Sequence, residues 1–187
     1  DAEFITQDED ASIDAGTIRL AATGGDVNLN AAVFATRDLE ISASGDVAQT
    51  GFSSLVVAGD VTITANVITL DNASNDFAAV VNAVGTNLSF SDANDITLGT
   101  VFADGGLTVV ASAGKITGSG SVQVTGQSVL QAAGEIRLIN ALNGFVQSVD
   151  VSGTNVELKA NVDLVLGEVD AATLDLEIVG SISQDGS

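Results

Sequence analysis

Residues 94–138 read NDITLGTVFADGGLTVVASAGKITGSGSVQVTGQSVLQAAGEIRL, and one short pattern occurs three times within them. Ile96, Ile116 and Ile136 follow one another at equal intervals. The residues two positions earlier, which suit a tight turn, are Asn94, Gly114 and Gly134. A fixed period of about 20 residues is typical of stacked-coil proteins, in which each repeat forms one coil.

The same pattern extends in both directions and gives a predicted inward ladder of nine residues. Its members are Ile5, Val27, Val47, Ile68, Ile96, Ile116, Ile136, Leu164 and Ile182. Gly or Asn precedes seven of them by two positions: Gly25, Gly45, Asn66, Asn94, Gly114, Gly134 and Gly180. Because Gly and Asn enter the left-handed backbone region most easily, we expect a tight corner of that conformation in each coil.

Between these corners the apolar residues alternate with polar ones, which predicts strands. Examples are Leu39 with Ile41 and Val61 with Ile63. With two further short apolar segments in each period, the sequence predicts an all-β chain, a parallel β-helix of eight to nine rungs with three short strands per rung. A β-sandwich is the competing architecture, but it would show hairpin turns instead of one corner in constant phase.

The sequence also contains a second, longer repeat that spans several of these periods, and we call it the long repeat. Residues 68–101 and 136–169 align without a gap and are identical at fourteen of thirty-four positions. We therefore expect a single solenoid over residues 1–187, with an older copy at 1–67 and two copies at 68–135 and 136–187, the second of which is truncated. The ladder intervals that begin at Ile68 and Ile136 are longer than the others, so about eight extra residues should form either a bulge from one corner or lengthened strands in each, with Phe77 and Phe145 on the same side.

The composition restricts the classes of function. The net charge is −20, which disfavours binding to nucleic acid or to anionic membranes. There is no His, Trp, Tyr or Cys, so a catalytic site or a cofactor site is not expected. A polysaccharide-active β-helix enzyme is the enzymatic alternative, although carboxylate pairs such as Asp92 with Asp95 are explained as exposed corner residues.

Calcium binding is a third class of function. Asp8, Asp10, Asp71 and Asp76 stand in predicted loops where carboxylate oxygens could surround a cation. Capping of turns by Asp is the alternative explanation. A threonine array for ice binding is a weaker hypothesis, since Thr62 and Thr64 find only mixed residues in neighbouring rungs.

Three motifs resemble the repeats of filamentous-haemagglutinin-like exoproteins, the β-helical adhesins of bacterial two-partner secretion. The motifs are Ile68-Thr69-Leu70-Asp71-Asn72 through Asn75-Asp76-Phe77, then Asp95-Ile96-Thr97-Leu98-Gly99-Thr100-Val101, and Ala113-Gly114-Lys115-Ile116-Thr117. The resemblance implies a right-handed helix and a secreted or cell-surface rod with a structural or adhesive role. Expected partners are neighbouring repeats of the same or identical chains, including end-to-end stacking, because no polar cap is recognisable at either end.

Overall fold

A computed structural model describes residues 2–185 and contains no helix within that range. No segment there is a helix long and apolar enough to span a membrane. The strands are β1 Ile5–Thr6, β2 Ile13–Ala15, β3 Ile18–Ala22, β4 Val27–Leu29, β5 Val33–Ala35, β6 Leu39–Ala43, β7 Val47–Gln49, β8 Leu55–Val57, β9 Val61–Thr64, β10 Val67–Leu70, β11 Asp76–Phe77, β12 Val80–Gly85, β13 Asn87–Asp92, β14 Ile96–Ala103, β15 Leu107–Ala111, β16 Ile116–Gly118, β17 Val122–Val124, β18 Ser128–Ala132, β19 Ile136–Leu138, β20 Gly144–Phe145, β21 Ser148–Ala160, β22 Leu164–Ile178 and β23 Ile182–Gln184.

The chain is a parallel β-solenoid of about nine turns, as the sequence predicts. One position can be followed from strand to strand through the whole stack, and every pairing along it is parallel. Its side chain is buried from Val27 to Leu166 and exposed at Gln184 in the last turn. Its members are Ile5, Val27, Val47, Ile68, Leu88, Leu107, Ser128, Val149, Leu166 and Gln184. Each turn therefore takes about 20 residues, the length of one repeat unit in a stacked-coil protein. The handedness stays a prediction.

Three faces enclose the core. The first face is the column just described, which begins with β1, β4 and β7. The second face consists of β2, β5, β8 and β11 in the lower turns, and of strands aligned on Ile96 in the upper turns. The third face begins with β3, β6, β9 and β12 and ends at β20.

The core consists of side chains that point inward from alternate strand positions. In β6, for example, Leu39, Ile41 and Ala43 are buried, while Ser42 between them is exposed. Three of the seven Phe residues fill the interior, namely Phe77, Phe90 and Phe145. Because each turn supplies only a thin layer of small side chains, burial depends on the turns above and below.

The nine-residue ladder predicted from the sequence is correct in part. Ile96, Ile116 and Ile136 are register partners, and Ile5, Val27, Val47 and Ile68 are too. These two groups lie on different faces, however, so the prediction of one continuous column is wrong. Leu164 pairs with Ile182, which is 51% exposed in the last turn.

The break occurs because the two longer ladder intervals are not single rungs. Ile68 pairs with Leu88 and not with Ile96, and Ile136 pairs in the same way with Val156 and not with Leu164. The eight additional residues form one more side of the triangle and not a bulge. The one complete period of the long repeat, from Ile68 to Ile136, therefore makes three full turns and one further side.

The two equivalent Phe residues show this offset directly. Phe77 pairs with Val57 on the second face, whereas Phe145 pairs with Val124 on the third. The prediction that they lie on the same side is wrong. The long repeat is one side longer than three full turns, so each residue of the second copy lies one face further round the solenoid than its equivalent in the first.

The predicted left-handed conformation is wrong at six of the seven corners. Between residues 2 and 185 the only positive φ belongs to Gly180, at 136°. Gly25, Gly45, Gly114 and Gly134 lie at bends without that conformation, and so do the asparagines Asn66 and Asn94. The need for glycine at most corners comes from close packing between turns.

Candidate functional site

The corners carry a recurring hydrogen bond that joins one turn to the next. An Asp or Asn side chain accepts, through Oδ1, the backbone N–H of a residue 18 to 22 positions later, at 2.8 to 3.2 Å. The nine acceptors are Asp26, Asp38, Asp46, Asp60, Asn82, Asn87, Asp95, Asp150 and Asp163. Many acidic residues are thus part of the stacking mechanism.

Glycine makes room for these side chains. In seven of the nine cases the residue just before the donating N–H is Gly. At Gly45, Gly59 and Gly167, a Cβ atom would overlap Oδ1 of the Asp in the turn below. The recurring glycines therefore allow the close approach of a carboxylate, which explains their phase without a left-handed backbone.

Two buried asparagines occupy equivalent positions in the two copies of the long repeat. Asn75 accepts the N–H of Leu55 at 2.9 Å, and Asn143 accepts that of Val122 at 2.8 Å. Their Nδ2 atoms donate to the carbonyl oxygens of Leu70 and Leu138. Each of these two side-chain amides therefore hydrogen-bonds one backbone N–H and one backbone C=O group, which would otherwise be buried without a partner at a corner of the solenoid.

Asp92 is the one fully buried carboxylate among the described residues. The prediction that it is an exposed corner residue paired with Asp95 is wrong. Its oxygens accept the N–H of Phe77 at 2.8 Å and that of Asn94 at 2.6 Å. Burial raises the pKa of Asp92 and outweighs these two hydrogen bonds, which lower it, and nearby Asp76 and Asp95 raise it further.

Ion pairs also connect neighbouring turns. Four of the five basic residues pair with a carboxylate of the adjacent turn: Arg19 with Glu40, Lys115 with Asp95, Arg137 with Glu157, and Lys159 with Glu177. The partners are largely exposed, so each pair adds little stability. Its main effect is to place a positive charge of one turn beside a negative charge of the next.

The calcium candidates do not come together. Asp8 accepts the N–H of Asp10 at 3.0 Å in a local turn, Asp71 is exposed in a loop, and Asp76 lies in β11. In the described part of the chain, no three acidic side chains are grouped as ligands for a metal ion. Calcium binding stays a prediction without geometric support.

The outward columns are mostly polar, but two contain adjacent apolar residues. Phe34 pairs with Val56 on the second face, and Val84 pairs with Phe102 on the third. All four are 36 to 44% exposed. Thr62 pairs with Glu40, and the next residue in that column is Asn82, so the threonines form no regular array.

A cavity of about 630 Å³ forms an open groove on the first face. Its charged lining residues are Asp150, Glu168 and Asp185, and its neutral ones include Gln127 and Gln184. Asp150 is engaged there by the N–H of Glu168 and by Nε2 of Gln127. The groove is therefore lined by carboxylates, of which Asp150 already accepts two hydrogen bonds, and by side-chain amides that both donate and accept.

Comparison with known proteins assigns these repeats to a family. A family model described as Repeats of unknown function (DUF5649) matches residues 31–84 and 85–152. The chain belongs to this family. The second match of the DUF5649 model is as long as the interval from Ile68 to Ile136, which is the period of the long repeat. No curated protein and no solved structure matches the chain.

The hydrogen-bonding corners of this DUF5649 chain are the feature that the sequence analysis missed. A signal was present, because an Asp or Asn often stands about one period before a Gly. Asp26 and Gly45 are one example, and Asp38 and Gly59 are another. The pattern of glycines predicts the corners, but it does not by itself identify the Asp or Asn partners in the preceding turn.

Proposed function

We propose that this chain is a rod segment of a secreted or surface-attached bacterial protein, with a structural and adhesive role. The observation that supports the proposal is the single column of parallel register partners, buried from Val27 to Leu166, that continues through about nine turns. At about 4.8 Å per turn, this stack is roughly 43 Å long. Such a body holds other modules apart or presents its own surface.

The use of the charged residues supports a structural role. Nine corner Asp or Asn side chains and four ion pairs link successive turns, so they need no ligand to explain them. The remaining negative charge keeps β-rich rods apart in solution. The proposal requires no cofactor and no catalytic residue.

An extracellular position follows from the resemblance to filamentous-haemagglutinin-like exoproteins. The motif around Ile96 and Ile116 carries that resemblance, and the solenoid form agrees with it.

Protease shaving of intact source cells tests the location. We expect an antibody raised against this chain to lose its signal after protease treatment, while a cytosolic marker stays intact. Protection of the chain in intact cells, with cleavage only after lysis, would contradict a surface position.

Negative-stain microscopy of two copies joined in frame tests the rod. We expect one straight particle about twice as long as the single chain. Two globular particles joined by a flexible segment would rule out a rod-forming segment.

A further inference from the structure

We propose that the second face carries a docking site for an extended, positively charged segment of another protein. The site is one outward column of four register partners, Asp14, Phe34, Val56 and Asp76, which lie in turns one to four. We refer to these four residues as the acidic-apolar column. The inference concerns the isolated chain and does not depend on where the rod is located.

The centre of the acidic-apolar column is an exposed apolar surface. Phe34 is 39% exposed and Val56 is 36% exposed, although residues on both sides of each are buried in the core. A shallow cavity of about 280 Å³ runs beside them and is bounded by Thr36, Ala58 and Ala78. An apolar side chain of a partner would be shielded from water there.

Carboxylates close both ends of this surface. Asp14 is exposed below Phe34, and Asp76 is half-buried above Val56. Because the whole chain has a net charge of −20, a second copy would be repelled from this face and a cationic segment would be attracted. The charges therefore favour a basic partner.

The spacing of the column determines the pattern of that partner. Asp14 and Asp76 are three turns apart, which corresponds to about 14 Å along the axis. An extended peptide covers about 14 Å in four residues and presents alternate side chains on one side. A segment with basic residues at positions i and i+4 and an apolar residue at i+2, lying along the solenoid axis, matches the column.

A second column in the same molecule provides a matched comparison. Val84 and Phe102 form a similar exposed apolar pair, at 43% and 44% exposure. Their neighbours in the column are Thr64 below and Gln123 above, both neutral. This pair has the apolar surface without the two carboxylates, so it should not select a cationic segment.

One cation lies at the adjoining corner. The Arg37 guanidinium packs beside Gly16, with Nη2 3.2 Å from the place of a Cβ atom on that glycine. Its charge opposes a cationic partner at this edge. Arg37→Gln should therefore strengthen binding.

The test uses fluorescence anisotropy with a labelled peptide that carries Lys, Phe and Lys at alternate positions. We expect saturable binding that weakens as salt is added, and none for the same peptide with Glu in place of Lys. Equal binding of both peptides, or no binding of either, would overturn the proposal.

Variants locate the site. Phe34→Ser should weaken binding of the Lys peptide about tenfold, because the buried contact is lost. The matched variant Phe102→Ser should leave the affinity unchanged, and Asp14→Asn with Asp76→Asn should remove most of the salt dependence. Circular dichroism and urea unfolding confirm that these outward variants fold, and an equal loss for Phe34→Ser and Phe102→Ser would contradict the assignment.

Discussion

At the scale of single residues, the corners show how acidic side chains build this solenoid. A carboxylate at a corner accepts a backbone N–H from the next turn, as Asp26 does for Asp46 at 2.8 Å. The hydrogen bond crosses between turns, so it fixes their vertical register as well as satisfying the N–H. The acidic composition is therefore partly a structural requirement and not only a solvated surface.

Asp92 gives a prediction about pH at this scale. Its pKa is raised in the folded state, so its contribution to stability is present below the ordinary Asp value and is lost as pH rises through the raised value. Asp92→Asn removes this loss. In a series from pH 3 to pH 7, we expect the free energy of unfolding of Asp92→Asn, relative to the original chain, to rise as pH passes from the ordinary Asp pKa to the raised one and then to level off.

Urea unfolding at a series of pH values measures this difference. Ser91→Ala is the control, because Ser91 is a buried neutral neighbour whose replacement should change stability equally at every pH. A constant difference for Asp92→Asn across the range would show that the Asp92 carboxyl is not destabilised by burial.

At the scale of the element, each corner joins a carboxylate in one turn to a glycine in the next. Asp150 and Gly167 are the best pair for testing this arrangement. The atoms nearest to a Cβ at Gly167 belong to Asp150, and the next, at 3.7 Å, belongs to Ser148. The Glu168 N–H is donated to Asp150 at 2.8 Å. The corner can therefore be tested as a two-residue unit.

Gly167→Ala should destabilise the chain by about 1–3 kcal/mol, because the new methyl group overlaps the Asp150 carboxylate. In the background of Asp150→Ala, the same substitution should cost much less, which gives a coupling energy of about 1 kcal/mol or more. Urea unfolding of the four chains measures it.

Gly51→Ala is the matched control, because no atom lies within 4 Å of a Cβ at that position. Its stability should change by less than about 1 kcal/mol. Additive effects at Asp150 and Gly167 would mean that the glycine is needed for another reason.

Much of this element could be predicted from the sequence, and the limits have physical causes. The spacing of Ile96, Ile116 and Ile136 reflects the length of one turn, so it predicted parallel stacking correctly. A glycine at a corner, by contrast, is compatible with either an unusual φ or a close neighbour. Only the position of the carboxylate in the turn below distinguishes the two.

At the scale of the whole molecule, the important parameter is the rotation about the solenoid axis between one copy of the long repeat and the next. Eight residues equal one side of the triangle, and an eight-residue bulge would have kept the same inward pattern. The alternation at Leu88 and Phe90, one turn after Ile68 and Leu70, held the information that decides between them. The spacing of the ladder instead makes Ile96 the apparent partner of Ile68, although Leu88 is the residue that pairs with it.

Engineered disulfides test this register in a chain that has no cysteine of its own. Thr69 and Ser89 are outward register partners, so Thr69→Cys with Ser89→Cys should form a disulfide on mild oxidation. Thr69→Cys with Thr97→Cys, the pair implied if Ile68 to Ile96 were a single rung, should stay reduced. Thiol titration after oxidation measures the free cysteines of both double variants. A disulfide between residues 69 and 97, and none between residues 69 and 89, would show that the extra residues form a bulge.

The offset of one side per copy also bears on self-association. Amyloid-like assembly grows when identical segments lie directly over one another in matching register. Here Phe77 and Phe145, the same position in two copies of a duplicated sequence, face different directions around the axis. Equivalent strands of successive copies are therefore separated by about three turns along the axis and by one face around it, so duplication lengthens this protein without stacking a strand on its own twin.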